Sequence, residues 1–143
     1  MLPVAGLMLT SEIIGKEIIG ETSKGIFGLL GGISEFDIPH INMIFEDLDI
    51  MKTIELVESL FNEKTENQNI VMLSHSQVLA LNNLHDINTK IQSELELIKK
   101  GIEESKDYWF KSFRTAPYHK NLDNLKRYKK ILDSRLNLAL KIN

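Results

Sequence analysis

The sequence predicts an all-α protein of about four helices, built around an elongated antiparallel helical hairpin of the coiled-coil type. Three observations support this class: only 3 of the 143 residues are proline, apolar–polar alternation is rare, and apolar residues recur at steps of three and four. The chain has room for one domain. Within it we distinguish a glycine-rich N-terminal helix with its linker, residues 1–46, from a helical bundle or hairpin, residues 47–143.

Glycine is concentrated at the start of the chain. Seven of the 8 glycines lie in residues 6–32, where isoleucine and leucine recur at helical spacing, so we predict a first helix over about residues 7–32. Small residues four positions apart let helix backbones approach closely. The residues assigned to such packing are Ser11, Gly15, Gly25, Gly28 and Gly32. The segment either packs on a partner or a membrane surface, or is broken and flexible, because each glycine costs a helix about 1 kcal/mol.

A linker and a second helix are predicted next. Residues 33–46 contain Pro39 among several apolar side chains, which predicts an irregular, partly buried strap. The second helix begins at Asp47 or Asp49, because either carboxylate is suited to cap the free amides of a first turn. Its apolar positions are Ile50, Ile54, Val57, Leu60 and Phe61, and it ends in the polar run of residues 62–69.

The predicted hairpin occupies the second half of the chain. Its first arm, from near Ile70 to about Phe113, would be about 60 Å long at the helical rise per residue. The second arm follows Pro117, a residue suited to a first helical turn, and the short connection predicts antiparallel packing. The predicted core of the two arms consists of Leu84, Ile87, Ile91, Leu95, Ile98, Ile102, Leu122, Leu125, Leu132 and Leu136.

The net charge of −3 conceals two oppositely charged parts. Residues 1–105 contain 7 Lys/Arg and 17 Asp/Glu, whereas residues 106–143 contain 10 Lys/Arg and 3 Asp/Glu. An anionic ligand, a charged partner or the acidic part of the protein itself would each account for this separation. Because residues 70–105 have only a small acidic excess, we predict that the basic arm meets residues 1–69, in its own chain or in a second copy.

The common motifs of catalysis and cofactor binding are incomplete. The chain contains no cysteine, and residues 20–25 resemble a phosphate-binding loop that lacks the required lysine, since Ile26 and Phe27 follow. Residues 47–58 include four acids, but Lys52 occupies the position at which a calcium-binding loop requires glycine. The four histidines show no spacing typical of metal ligands. We therefore predict a non-enzymatic protein without a catalytic, cofactor or metal site.

A further hypothesis concerns the aromatic and basic residues near the C-terminus. Tyr108, Trp109 and Phe110 lie among basic side chains, a combination that binds nucleic acid by neutralising phosphates and stacking on bases. Alternatively, the rings of Trp109, Phe110 and Phe113 close the apolar end of the hairpin, which their helical continuity with Ile102 favours. The basic residues assigned to contact with an anion or a partner are Lys106, Lys111, Arg114, Lys126, Arg127, Lys129, Lys130 and Arg135.

Part of the sequence resembles a group of viral proteins. Residues 22–30 (Thr-Ser-Lys-Gly-Ile-Phe-Gly-Leu-Leu), followed by residues 47–50 and 54–60, are similar to segments of small helical proteins associated with the virion or capsid of large nucleocytoplasmic DNA viruses. This resemblance implies a virion or assembly component without catalysis.

These patterns together predict a structural protein that acts through helix packing, as a homo-oligomer or as a minor capsid or virion subunit. The alternatives are a nucleic-acid-binding module that uses the basic C-terminal helix and a membrane-surface protein that uses the N-terminal helix. The longest apolar runs are too short to span a bilayer, and the first has no basic region before it, so we expect no secretion. The expected location is the virion for a viral protein and otherwise the cytoplasm.

Overall fold

The computed structural model describes residues 19–66, 74–105 and 117–142. These residues form helices and contain no strand, which confirms the predicted all-α class. A helical segment, residues 19–34 (α1), is followed by the helices Pro39–Leu48 (α2), Ile50–Glu66 (α3), His75–Ser105 (α4) and His119–Lys141 (α5).

Helices α4 and α5 pack as the predicted long antiparallel pair. We call the end where α4 stops at Ser105 and α5 starts at His119 the closed end, and the opposite end the open end. Helix α1 lies alongside α4 and parallel to it, because Gly25 faces Gln92 and Gly32 faces Lys99.

Helix α3 runs from the closed end to the open end. Its first residue, Ile50, lies near Leu30 and Ser34 at the end of α1, while Leu60 and Lys64 lie beside Gln77 and Ala139. The long helices α1, α3, α4 and α5 therefore alternate in direction along a bundle, and the short helix α2 links α1 to α3 at the closed end.

One hydrophobic core runs through the bundle. All ten residues assigned to the hairpin core are buried, and none is more than 6% exposed. Apolar side chains of α1 and α3, such as Ile26, Ile33 and Ile54, belong to the same cluster. The boundary placed between residues 46 and 47 falls inside α2, and side chains from both sides of it share this core.

The prediction of an irregular strap over residues 33–46 was wrong for most of its length. Residues 39–48 form α2, with Pro39 in the first turn and Ile41 fully buried. Proline lacks an amide hydrogen and has a fixed φ, so it fits a first helical turn, although it would disrupt a helix interior. The turn before α2 contains Asp37, whose φ is +52° and whose carboxylate accepts a 3.3 Å hydrogen bond from the Asn42 side chain.

The prediction that an aspartate carboxylate caps the second helix was also wrong. Asp47 lies inside α2, and Asp49 forms a left-handed junction between α2 and α3 with φ +51°. The Asp49 amide donates to the carbonyl of Phe45 at 3.0 Å, and its carbonyl accepts from the Thr53 hydroxyl at 3.1 Å. Asp49 thus joins two helices through its backbone, because a short polar residue tolerates this conformation better than most others do.

The first arm of the hairpin begins later than the expected Ile70. The Gln77 amide donates to the Ser74 hydroxyl at 3.2 Å, and the Ser74 amide donates to the Gln77 side chain at 2.8 Å. This reciprocal capping box starts α4 at His75. At 31 residues α4 is about 46 Å long, and the expected extension towards Phe113 lies outside the described residues.

Candidate interaction surfaces

Helix α5 carries a basic surface. Residues 119–141 contain seven Lys/Arg and two Asp. The exposed cations among them are Lys120, Lys126, Arg127, Lys130 and Lys141. The Arg127 guanidinium lies 5.1 Å from the centre of the Tyr128 ring, and the Lys90 ammonium lies 6.0 Å from it. Helix α5 therefore presents a surface of positive sign with one aromatic ring between two cations.

Two of the residues assigned to partner contact already bind within the chain. The ammonium of Lys129, only 8% exposed, donates to both carboxylate oxygens of Asp133 at 2.8 and 3.0 Å. The guanidinium of Arg135 donates to the backbone carbonyl of Asn83 at 2.9 Å and so ties α5 to α4. Lys126, Arg127 and Lys130 stay on the surface, whereas Lys106, Lys111 and Arg114 lie outside the described residues.

The α2–α3 region carries the opposite charge. Residues 39–66 contain seven Asp/Glu and two Lys. The exposed acids described there are Glu46, Asp47, Asp49, Glu55 and Glu63. The acidic surplus of this region equals in size the basic surplus of α5, so the two surfaces are matched in charge.

The two charged surfaces border each other without an ion pair. Asp47 lines a groove of about 350 Å³ together with Lys126 and Lys130. Among the described residues, the ion pairs are Lys100–Glu104 at 4.0 Å, His119–Asp123 at 3.6 Å and Lys129–Asp133 at 2.8 Å. Each lies within one helix, so the described part of the chain does not neutralise its acidic region with its basic helix through such pairs.

A second polar contact between the hairpin arms joins an acid to neutral partners rather than to a cation. The carboxylate of Glu94, which is 8% exposed, accepts hydrogen bonds from the side-chain amides of Asn121 at 2.9 Å and Asn124 at 3.2 Å. No local sequence pattern signals this contact, because Glu94 and the two asparagines are 27 and 30 positions apart.

The small residues of α1 differ in their environments. A Cβ atom at Gly25 would overlap the Gln92 amide, and one at Gly32 would lie 3.4 Å from the Lys99 ammonium. Gly28 is exposed with open space around it, so it makes no close helix contact within the described part of the chain. Ser11 and Gly15 lie outside the described residues. Since α1 turns Ile26 and its other large apolar side chains largely into the bundle, its described part offers a membrane little apolar surface.

Two apolar surfaces lie at opposite ends of the bundle. At the closed end, a groove of about 300 Å³ between the end of α1 and the α2–α3 junction is lined by Leu30, Phe45, Ile50, Met51, Glu46 and Asp49, among others. We call it the elbow groove. At the open end lies a shallow depression of about 230 Å³, which we call the open-end patch. It is lined by Leu79, Ala80, Asn83, Arg135, Leu138 and Ile142, among others. Its Leu79 and Leu138 are 51% and 61% exposed.

Two titratable side chains are affected by burial. Burial lowers the pKa of His85 below its usual 6.5, and the nearby Asp86 carboxylate partly opposes this shift. Burial raises the pKa of Tyr118 above 10.0. The Tyr118 ring stacks on His40 with centroids 6.2 Å apart, and its Cβ would lie 3.2 Å from a Cβ added at Gly101. Gly101 therefore makes room for the Tyr118 side chain.

The described residues contain no group of three or more His, Asp or Glu side chains arranged to hold a metal ion. None of the helices in the described ranges is long and apolar enough to cross a bilayer. Comparison with known proteins found no matching family model, no matching curated protein and no matching solved structure.

Proposed function

We propose that this protein is a non-enzymatic assembly protein that binds protein partners, foremost copies of itself, through the surface of its helical bundle. The observation that supports this most is the separation of charge. Residues 39–66 are acidic, α5 is equally basic, and the ion pairs of the described residues all lie within single helices. Such surfaces attract each other across molecules and orient an encounter.

Measuring mass at two salt concentrations tests this proposal. Sedimentation velocity of the full chain should detect oligomers at about 0.1 M salt that dissociate at about 1 M, because the Debye length falls from about 10 Å to about 3 Å. Sucrose at matched osmolality is the control, since it leaves charges unscreened. A chain that is monomeric at both salt concentrations and gives no crosslinked dimer would contradict the proposal.

A role as a minor capsid or virion component is a narrower form of this proposal. It is supported by the resemblance of residues 22–30, 47–50 and 54–60 to virion- and capsid-associated proteins of large DNA viruses. Detection of the chain in purified virus particles, in fixed ratio to a coat protein, would test it.

The exposed cations of α5 support a second candidate, nucleic-acid binding. Lys126, Arg127 and Lys130 are exposed within five residues of one another. If all three bind phosphates of duplex DNA, the logarithm of affinity should fall with that of salt concentration with a slope of roughly −3. Lys126→Glu with Lys130→Glu should abolish binding, whereas Lys24→Glu with Lys100→Glu, which changes the net charge equally, should weaken it only slightly. Absence of binding at low salt would exclude this candidate.

A further inference from the structure

The two ends of the bundle carry surfaces of complementary chemistry. The elbow groove at the closed end has an apolar floor that includes Leu30, Phe45 and Met51, and its charged lining residues are Glu46 and Asp49, both acidic. None of the described residues that line this groove is basic. It therefore suits an apolar group that carries a positive charge beside it.

The open-end patch has that chemistry. Leu79 and Leu138 project from it, each more than half exposed, and its charged lining residue is Arg135. Lys141, also exposed, lies one helical turn beyond Leu138. The described residues that line the patch include no acid, so the patch is apolar and cationic, whereas the elbow groove is apolar and anionic.

The two surfaces of one chain are too far apart to meet. The patch borders α4 at residues 76–83, whereas the end of α1 that borders the groove lies against Lys99, so at least 16 residues of α4, about 24 Å, separate the two surfaces. We infer that the open-end patch of one copy docks in the elbow groove of a second copy, an inference that rests on the self-association proposed above.

This contact joins different surfaces on the two copies. It leaves an empty groove on one copy and an unused patch on the other, so the same contact can repeat. A head-to-tail series of bundles results, which closes into a ring or grows as a filament according to the rotation between neighbours. This contact makes the proposed self-association more specific, because it identifies the two surfaces that bind each other.

Two surface variants test the inference. Leu138→Glu places a negative charge in the patch, and Met51→Glu places one in the groove. Each variant alone should weaken self-association at least roughly tenfold, because a large apolar side chain is lost from the contact and an acid is placed against it. Leu97→Glu is the matched control, since Leu97 is 48% exposed and lines neither surface, and it should associate like the unchanged chain.

Mixing the two variants gives the sharper result. The Leu138→Glu chain keeps its groove and the Met51→Glu chain keeps its patch, so an equimolar mixture should form 1:1 dimers and nothing larger. If Met51→Glu fails to fold by circular dichroism, Glu46→Lys replaces it, because it sets a lysine against Arg135.

Three results would overturn the inference. Oligomers that persist unchanged in both single variants would show that another surface mediates assembly, which leaves the proposed function intact. A mixture of folded variants that remains monomeric would exclude pairing of groove with patch. A wild-type chain that is monomeric at low salt would instead overturn both proposals.

Discussion

The carboxylate of Glu94 in α4 accepts a 2.9 Å hydrogen bond from the side-chain amide of Asn121 in α5, 27 positions further along the chain. Asn124 donates to the second oxygen of the same carboxylate at 3.2 Å. This acid therefore connects the hairpin arms through neutral partners near the closed end.

Replacing Glu94 by alanine should destabilise the protein by roughly 1–3 kcal/mol, because two partly buried amides would lose their acceptor. Urea denaturation followed by circular dichroism measures this change. Glu96→Ala is the control, since Glu96 is exposed on the same helix and should alter stability little. Equal effects of the two substitutions would show that the hydrogen bonds of Glu94 add nothing to the stability of the protein.

Replacing Asn88 by leucine should stabilise the protein by roughly 1–3 kcal/mol. Asn88 is fully buried, and among the described residues neither its amide nitrogen nor its amide oxygen has a hydrogen-bond partner. Leucine has a similar shape and needs no partner. Thermal unfolding should show a higher Tm for this variant and little change for Asn137→Leu on the exposed face of α5. A lower Tm would mean that the Asn88 amide makes a bond that matters.

Acidification should destabilise the protein through His85. Because burial lowers its pKa in the folded state, the unfolded chain binds a proton at a higher pH than the folded chain does. The free energy of unfolding therefore does not depend on His85 protonation well above pH 6.5. It decreases as the pH falls below about 6.5 and stops decreasing once the pH is below the pKa of His85 in the folded state.

Denaturation at a series of pH values between 5 and 7.5 tests this expectation. His85→Asn should reduce the slope of stability against pH. Asp86→Asn should steepen it, because Asp86 raises the pKa of His85 and removing this carboxylate enlarges the shift. A slope that is the same in all three proteins would assign the pH dependence to other groups.

The glycines of α1 should differ in their response to alanine. Gly28 is exposed within the helix and faces open space, so Gly28→Ala should stabilise the protein by about 0.5–1 kcal/mol. Gly25→Ala should stabilise it less, because the new methyl group displaces the Gln92 side chain. Equal gains in chemical denaturation would show that Gln92 moves aside at no cost.

The sequence was most informative where the apolar pattern is long and regular. The steps from Leu84 to Ile102 and from Leu122 to Leu136 predicted two helices and the faces that they bury, because only helical periodicity brings such residues onto one side. The same reasoning failed at Pro39 and Asp49. Pro39 begins a helix and Asp49 joins two helices because of the backbone conformation at each residue. The spacing of apolar residues contains no information about that conformation.

The polar interior and the two end surfaces were harder to predict. Glu94 and Asn121 meet only because α4 and α5 pack in one particular register. The elbow groove combines side chains of α1, α2 and α3, so its shape depends on how three helices are arranged. Ser74 and Gln77, in contrast, form a capping signature that is visible in the sequence and would have corrected the start of α4.

The parallel contact of α1 with α4 also has a consequence for the order of folding. Gly25 and Gln92 are 67 positions apart, whereas Glu94 and Asn121 are 27 apart. Because closing a longer loop costs more chain entropy, we expect the hairpin to form first and α1 to join a preformed pair of helices. Contacts of α1 that form after the rate-limiting step govern how quickly the protein unfolds and leave its folding rate nearly unchanged.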